Sequence, residues 1–557
     1  MTVRVRARLL ATRAVLALIL LAGVTPTASA ASFPDLGPRP ADGLTRALAS
    51  GQITEGRYAL ERATALFNPN RVESRYGSLR ATGPRGATVV LRDLVARLGT
   101  LTPTERASAE ALLARPDDGV ADPAAQGYEV PTAPPTCTEH FCIHWVATSA
   151  DAPNPADADA NGLPDQVDQT ARTLEEVWQR EIVEYGYRPP KADGTSTNHG
   201  PDDRLDVYLG DLGGDRIYGY CTTDDPAAGS SPTGPWDVSV YCVLDDDFDS
   251  AQFPGAASGL AALQVTAAHE FFHAVQFAFD FLEDGWMLEG TAVWMEDEVY
   301  DDVNDNYQYF DKSPLRQPQI PLDLAVADFE SPLSGYQYGS FVFWRYLEEQ
   351  HGGPDVIRRA WELADGSAGA LDQYSLQAVT SALRERGSTF RSAFARFGAA
   401  NAFPAQFYEE GAAYPTPQPR VRATLSARRA SATRTVTLDH LTSWYGTLRP
   451  APTLGEATRL RVVVDLPRQA RGGQATLIVV PQTGAARLAP ITLNSQGDGA
   501  RVVSFASQTV KLVQIVLTNA SGRFRCWSRM ALSCQGESLD DGQRFSYEAR
   551  LLGLPPG

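Results

Sequence analysis

The sequence predicts a multidomain α+β protein, and three changes of pattern along it carry that prediction. From Ser32 to about Asp122 the apolar residues recur at helical spacing. From Cys137 short alternating runs take over and are interleaved with helical stretches as far as about Ala400. After the stiff Tyr414-Pro415-Thr416-Pro417-Gln418-Pro419 linker, only strand-like runs separated by turns remain. A chain of 557 residues is long enough for two to four domains. Its 43 % hydrophobic and 9 % aromatic content is that of globular material. A formal net charge of −18 with no offsetting basic patch argues against nucleic acid or an anionic membrane as partner.

Taken in order, residues 1–30 read as a signal peptide. Arg4, Arg6, Arg8 and Arg13 precede the apolar Ala14–Val24, and Ala28-Ser29-Ala30 offers a cleavage site. The expectation is a secreted or periplasmic protein without a membrane span. Six cysteines in three local groups suit that compartment: Cys137 with Cys142, Cys221 with Cys242, and Cys526 with Cys534. Nearest-neighbour pairing is expected, although six cysteines allow fifteen connectivities in general.

Residues 31–125 form the helical N-terminal region. Leu44–Leu66 carries one helical stretch, and Thr102-Pro103-Thr104-Glu105 opens another that runs through Leu113. The region holds no Cys or His. It reads as a propeptide cut within the Arg115–Pro135 linker, or as a permanent domain, with the first preferred.

The next region, 136–412, begins with the strand-like His140–Val146. His140 and His144 are four apart, but in a strand that separation is about 13 Å, too far to share a metal. Then comes a loop with calcium-type spacing. Asp157, Asp159, Asn161, Asp165 and Asp168 place oxygen donors at positions one, three, five, nine and twelve, and Leu163 offers a carbonyl at seven. It resembles the EF-hand and related D-x-D-x-N-G loops, with Asp in place of Glu at the last position. A helix follows, with Val167, Ala171, Leu174 and Trp178 on one face. Leu205–Leu209, Tyr218–Cys221 and Val238–Leu244 read as strands of a mixed sheet. Val238–Leu244, the last before the central helix, is the expected edge for an extended peptide to pair with.

The chemistry centres on His269, Glu270 and His273, an H-E-x-x-H pattern in a proline-free apolar run expected to be helical from Gly259 to Ala278. On a helix, i and i+4 share a face, so both imidazoles reach one small cation while Glu270 leans toward it. A second helix, Leu288 to Val299, follows a short connection and carries Glu289 near its start. The wording Trp286-Met287-Leu288-Glu289-Gly290-Thr291-Ala292 resembles the W-x-x-E-G-x-A segment of the gluzincin metallopeptidases, in their aminopeptidase branch. That resemblance implies zinc held by His269, His273 and Glu289, in a gluzincin-like core of mixed sheet, H-E-x-x-H helix and helical lobe. Glu296, seven residues on, is the competing third ligand. Tyr336-Gln337-Tyr338-Gly339 is similar to the Y-x-x-G segment of the same branch. It implies an oxyanion-stabilising tyrosine at Tyr336, with Tyr338 as the alternative.

The expected activity is that of a secreted zinc peptidase acting on peptide or protein substrates, with Glu270 as general base. Without a G-x-M-E-N-like stretch to grip a free amine, an endopeptidase is favoured. The alternatives are a catalytically dead scaffold serving as a calcium-binding or adhesive protein, and a zinc hydrolase of a non-peptide substrate. Residues 420–557 read as a β-sandwich accessory domain, with strands at Arg434–Leu438, Arg459–Asp465, Gln474–Val480, Arg501–Phe505, Val510–Leu517 and Ser546–Leu552.

Overall fold

The computed structural model describes residues 43–77, 86–119, 127–228, 234–253, 257–326, 331–528 and 532–554. The signal-peptide reading of residues 1–30 lies outside them. The described residues belong to one compact unit, Pro38–Gly557.

The N-terminal region folds as α1 (Gly43–Ala49), α2 (Glu55–Phe67), α3 (Pro69–Tyr76), α4 (Ala87–Val95) and α5 (Pro103–Leu112). The expected single helix over Leu44–Leu66 is broken at Gly51, whose φ of 71° belongs to the left-handed region. Thr54 then restarts the chain by capping α2. Thr102 and Glu105 form a reciprocal capping box on α5, with Pro103 at the first turn. These helices do not stand apart. Leu60, Ala63, Leu91 and Leu94 join the same apolar core as the central helices.

Arg115, which the sequence placed in a loose linker, is wholly buried. It donates to Asp193 at 2.6 Å and Asp224 at 2.9 Å, and also to Asp206. Three carboxylates drawn to one guanidinium override the loop-like composition around it.

The next part opens with β1 (Thr136–Cys137), β2 (Phe141–His144), α6 (Asp165–Trp178), β3 (Leu205–Gly210), β4 (Gly219–Thr222) and β5 (Tyr241–Asp245). The sheet order is β1-β2-β3-β5-β4, with β2, β3 and β5 parallel and both outer strands antiparallel. Val238–Leu244 is therefore not an edge: β5 lies between β3 and β4, and the edges are β1 and β4. Chain order misled here, because β4 precedes β5 yet lies outside it, cross-linked by Cys221–Cys242. His140, expected in a strand, lies just before β2, and His144 ends it. His140 pairs with Glu175, and His144 Nε2 lies 2.7 Å from Asp206.

Behind the sheet lie α7 (Leu260–Phe277) and α8 (Gly285–Val299), then α9 (Tyr336–Gly339), α10 (Phe341–His351), α11 (Asp355–Leu363), α12 (Leu376–Glu385), α13 (Phe390–Ala400) and α14 (Pro404–Phe407). Gly290 lets α8 and α10 touch: a Cβ there would fall 2.1 Å from Ser340 Oγ and 2.7 Å from Trp344 Nε1. Beside it the Trp286 and Trp344 rings stack at 5.1 Å.

The C-terminal part comprises β6 (Val421–Leu425), β7 (Ser431–Leu438), β8 (Thr442–Pro450), β9 (Arg459–Asp465), β10 (Gly473–Pro481), β11 (Arg487–Pro490), β12 (Asp498–Ser504), β13 (Val510–Asn519), β14 (Phe524–Arg525), β15 (Glu537–Ser538) and β16 (Gln543–Leu552). One sheet runs β11-β10-β13-β8-β6 and the other β12-β9-β16-β7. Trp444 on β8 meets Tyr547 on β16 across them, with ring centroids 5.9 Å apart. Helix α13 covers the outer face of the first sheet, where Tyr445 donates to the Gly398 carbonyl at 2.7 Å. With both faces covered, β8 and β13 are almost continuously buried. All six cysteines pair as nearest neighbours, which fits an oxidising compartment. Among the described residues no helix is long and apolar enough to cross a membrane.

Candidate metal and active site

Helix α7 runs unbroken because its 18 residues contain neither Pro nor Gly, and nearly every side chain on it is buried. It presents His269 and His273 one turn apart. Helix α8 folds back across α7 and brings Glu289 to both imidazoles. His269, His273 and Glu289 are 0 % exposed and Glu270 is 1 % exposed.

The outward ring nitrogens are fixed by acceptors. His269 Nδ1 lies 2.7 Å from Glu296 Oε1, and His273 Nδ1 lies 2.7 Å from Gln276 Oε1. Gln276 is oriented in turn, because its amide nitrogen donates to the Leu288 carbonyl at 2.9 Å and to Thr291 Oγ1 at 3.0 Å. A neutral histidine that donates from Nδ1 keeps a bare lone pair on Nε2. The two Nε2 atoms stand only 3.1 Å apart. Glu289 Oε2 faces them at 3.3 and 3.6 Å, and neither Glu289 oxygen has a hydrogen-bond partner. With both rings in that tautomer, three buried acceptors converge with no donor between them, and such a set is stable only around a positive charge, a proton or a metal ion. His269, His273 and Glu289 have the donor set and spacing to hold a metal ion.

Taken as protein groups alone, the site's ionisations respond to the same crowding. Burial works to lower His269, but Glu289 and Glu296, with Glu270 nearby, outweigh it and raise the imidazole to about 9. Burial works to raise Glu289, and the facing imidazoles overcome it and hold the carboxyl below its ordinary range. For Glu270 burial wins: its carboxyl is raised, against the pull of His269, His273 and a hydrogen bond from Thr88.

That Thr88 contact comes from α4 and has no signal in the sequence. Thr88 Oγ1 donates to Glu270 Oε2 at 2.9 Å and accepts from the Cys221 N–H of the edge strand β4 at 2.9 Å. Glu270 Oε1 has no hydrogen-bond partner.

The tyrosines of α9 divide differently from the expectation. Tyr336 donates its hydroxyl to the Ile320 carbonyl at 3.1 Å and is not brought to the ligand set. Tyr338 is the one beside it, with its ring 6.3 Å from that of His269 and stacked on Tyr309 at 5.0 Å. Two residues apart on a helix are about 200° apart in direction, so only one of the pair can face α7. Gly339 permits the turn's position, since a Cβ there would lie 2.1 Å from the Lys312 carbonyl oxygen.

Glu296 stands behind His269, on its Nδ1, rather than beside the two Nε2 atoms. A signal was available, because Glu296 lies two turns beyond Glu289 on a similar face of α8. Gln276, one turn past His273, was equally readable.

The calcium-type loop lies on the surface at the start of α6. Asp157, Asp159 and Asp165 come together as a possible ligand set. Asp157 accepts from the Asn161 and Gly162 N–H groups at 3.1 and 2.9 Å, and Asn161 Oδ1 accepts from the Leu163 N–H. Asp168 is held by the Asn161 side-chain amide at 2.7 Å.

A cavity of about 930 Å³ opens beside the ligand set, reaching Glu289, Trp286 and Tyr338. Its opposite wall is built from α2 and α4, and its rim includes Trp527 of the Cys526–Cys534 loop.

No protein-family model matches the chain, and no curated protein matches it. Solved structures that match parts of it include CorA, a surface-associated copper-binding protein important in copper acquisition by Methylomicrobium album BG8. That match has 12 % identity and a TM-score of 0.15, over 24 % of this chain and 98 % of that one. A mutant of PliG-Ec, a periplasmic inhibitor of g-type lysozyme from Escherichia coli, matches at 11 % identity and a TM-score of 0.13, over 24 % and 98 %. A family GH115 4-O-methyl-α-glucuronidase, BtGH115A, matches at 8 % identity and a TM-score of 0.15, over 53 % and 42 %. Likenesses this slight carry no functional argument.

Proposed function

We propose that this protein is a zinc-dependent peptidase of gluzincin type, with His269, His273 and Glu289 as the metal's ligands. The observation that carries the reading is the convergence of two Nε2 lone pairs and an unpartnered carboxylate. Two imidazoles and one carboxylate suit zinc and leave a coordination position open. When bound, zinc supplies Lewis-acid polarisation of a carbonyl and makes water a stronger acid. Glu270, with one oxygen free of hydrogen bonds, would accept a proton from an attacking water and pass it to the leaving amine. Glu296 and Gln276 hold the two imidazoles in their productive tautomers. Tyr338 replaces Tyr336 as the tyrosine nearest the reacting groups. A calcium ion at Asp157, Asp159 and Asp165 would serve structure rather than catalysis.

The deciding experiment is metal analysis together with casein or gelatin hydrolysis, run beside Glu270→Gln. We expect one zinc per chain in both proteins and turnover in the parent alone. Hydrolysis that survives Glu270→Gln, or a folded chain that takes up no zinc, removes the reading. One observation favours a second one, a metal-holding scaffold without turnover: Glu270 is spent in part on Thr88, in a site that is closed to solvent. Zinc uptake with no hydrolysis, unchanged in Thr88→Val, would support that second reading.

A further inference from the structure

The loop that joins the two ligand-bearing helices carries Asp280, Glu283 and Asp284 within five residues, and all three line the cavity that reaches Glu289. We propose that this cavity receives a cationic organic group, an alkylammonium or guanidinium, at Asp280.

Asp280 is 0 % exposed. Its Oδ1 accepts from the Leu282 N–H at 2.8 Å, while Oδ2 has no hydrogen-bond partner. A buried carboxylate oxygen left without a donor is costly, and a ligand N–H would satisfy it. Burial, reinforced by Asp372, pushes the Asp280 carboxyl well above its ordinary range. Arg92 acts in the opposite direction, but it is committed to Asp93 at 2.8 Å and to the Glu283 carbonyl. The neighbouring arginines of the N-terminal wall are spent likewise, Arg62 on Asp93 and Arg97 on Glu55. The wall that carries Asp280 therefore holds Asp280, Glu283, Asp284 and Asp372 and no lysine or arginine of its own.

The remaining surfaces suit an organic cation better than a metal ion. Glu283 and Asp284 spend their oxygens on the backbone N–H groups of Asp284, Ser375, Cys534 and Gln535. These carboxylates are not among the groups of described residues whose oxygens gather closely enough for one small ion. Aromatic faces line the same space, from Trp236, Trp286 and Tyr374 to Trp527. Trp527 is 65 % exposed at the rim, with its ring 5.1 Å from Tyr374. Carboxylates backed by aromatic faces bind ammonium and guanidinium groups well.

Resting on the peptidase reading, the inference names the substrate class: peptides that place a Lys or Arg side chain, or a free α-amine, beside the scissile bond. The cation site itself does not depend on hydrolysis. Its test is isothermal titration of the full chain with three probes. N-acetyl-arginine methylamide offers only a side-chain cation, leucine amide only an α-amine, and N-acetyl-norleucine methylamide neither. We expect at least one charged probe to bind on the order of tenfold more tightly than the neutral one, and Asp280→Asn to erase most of that preference. Which charged probe wins identifies the source of the cation. Equal binding of all three probes, or a preference untouched by Asp280→Asn, overturns the proposal. Should Asp280→Asn fail to fold, Trp527→Ala on the exposed rim serves instead. It must weaken the charged probe more than the neutral one, and equal weakening overturns the proposal. A chain that prefers cations but hydrolyses nothing loses the peptidase reading and keeps this site.

Discussion

Replacing Glu289 and Glu296 by glutamine, one at a time, separates a group that faces the proposed metal position from one that acts through an imidazole. Glu289 Oε2 lies 3.3 and 3.6 Å from the two Nε2 atoms, whereas Glu296 reaches only the far nitrogen of His269, at 2.7 Å. Glu289→Gln removes the anion that balances a cation in a fully buried set. Stripping a buried charge of its partner costs about 3–5 kcal/mol. At about 1.4 kcal/mol per decade that is a loss of roughly two to three and a half decades in zinc affinity. Glu296→Gln keeps an oxygen that can accept from Nδ1–H, so only the charge support is lost. Outer partners of this kind are worth about 10–100-fold. Competition titration against a chromophoric chelator reads both affinities. Thermal unfolding with and without zinc checks them, because a ligand stabilises the native state by RT ln(1 + [L]/Kd). Equal losses, or a larger loss from Glu296→Gln, would refute the assignment of Glu289 as the third ligand.

Other outcomes follow from the same structure. Arg115→Met leaves Asp193, Asp206 and Asp224 without their shared cation, so denaturant unfolding should register a loss of about 3–5 kcal/mol. His440 sits between Asp323 at 2.9 Å and Asp541 at 2.6 Å. Burial opposes its charge, but those carboxylates raise it from 6.5 to about 10. Its contribution is therefore complete below the ordinary value of 6.5 and drains away as pH climbs through about 10. Unfolding free energies from denaturant melts taken from neutral to alkaline pH should fall in the parent, by roughly 3–5 kcal/mol in total, and stay flatter in His440→Gln. Asp323, lowered mainly against its burial by His440, contributes above its ordinary 3.8 and loses that as pH falls through its folded value. Calcium at the Asp157 loop should raise the unfolding temperature in the parent and not in Asp157→Asn, with zinc content unchanged, as differential scanning calorimetry would show.

Legibility followed the range over which each signal acts. The H-E-x-x-H helix, the return helix with Glu289, the three disulfides and most strands of the sandwich are set by patterns within a few turns of chain, and they stand where the residues put them. β8 escaped because Ser443, Thr447 and Gly446 break the apolar pattern, although α13 on one side and the facing sheet on the other bury the strand. Tyr336 and Tyr338 lie in one turn, and only the packing of α9 against α8 decides which of them faces His269. The edge of the mixed sheet was misplaced because strand order in space is a long-range property. Arg115 and Thr88 are farther still from legibility, since their partners lie 78 to 182 residues away.

The Thr88 hydroxyl sits on both the candidate base and the free edge of the sheet, and that double attachment has a thermodynamic consequence. Whatever draws Glu270 Oε2 or the Cys221 N–H into a new hydrogen bond competes directly with α4 for the same atoms. Binding free energies are reciprocal, so a ligand that engages those atoms loosens α4 by as much as α4 weakens the ligand. Occupancy of the site and the grip of the N-terminal helices are thus two readings of one equilibrium. Hydrogen exchange at α4 reports, from outside the cavity, on what lies within it.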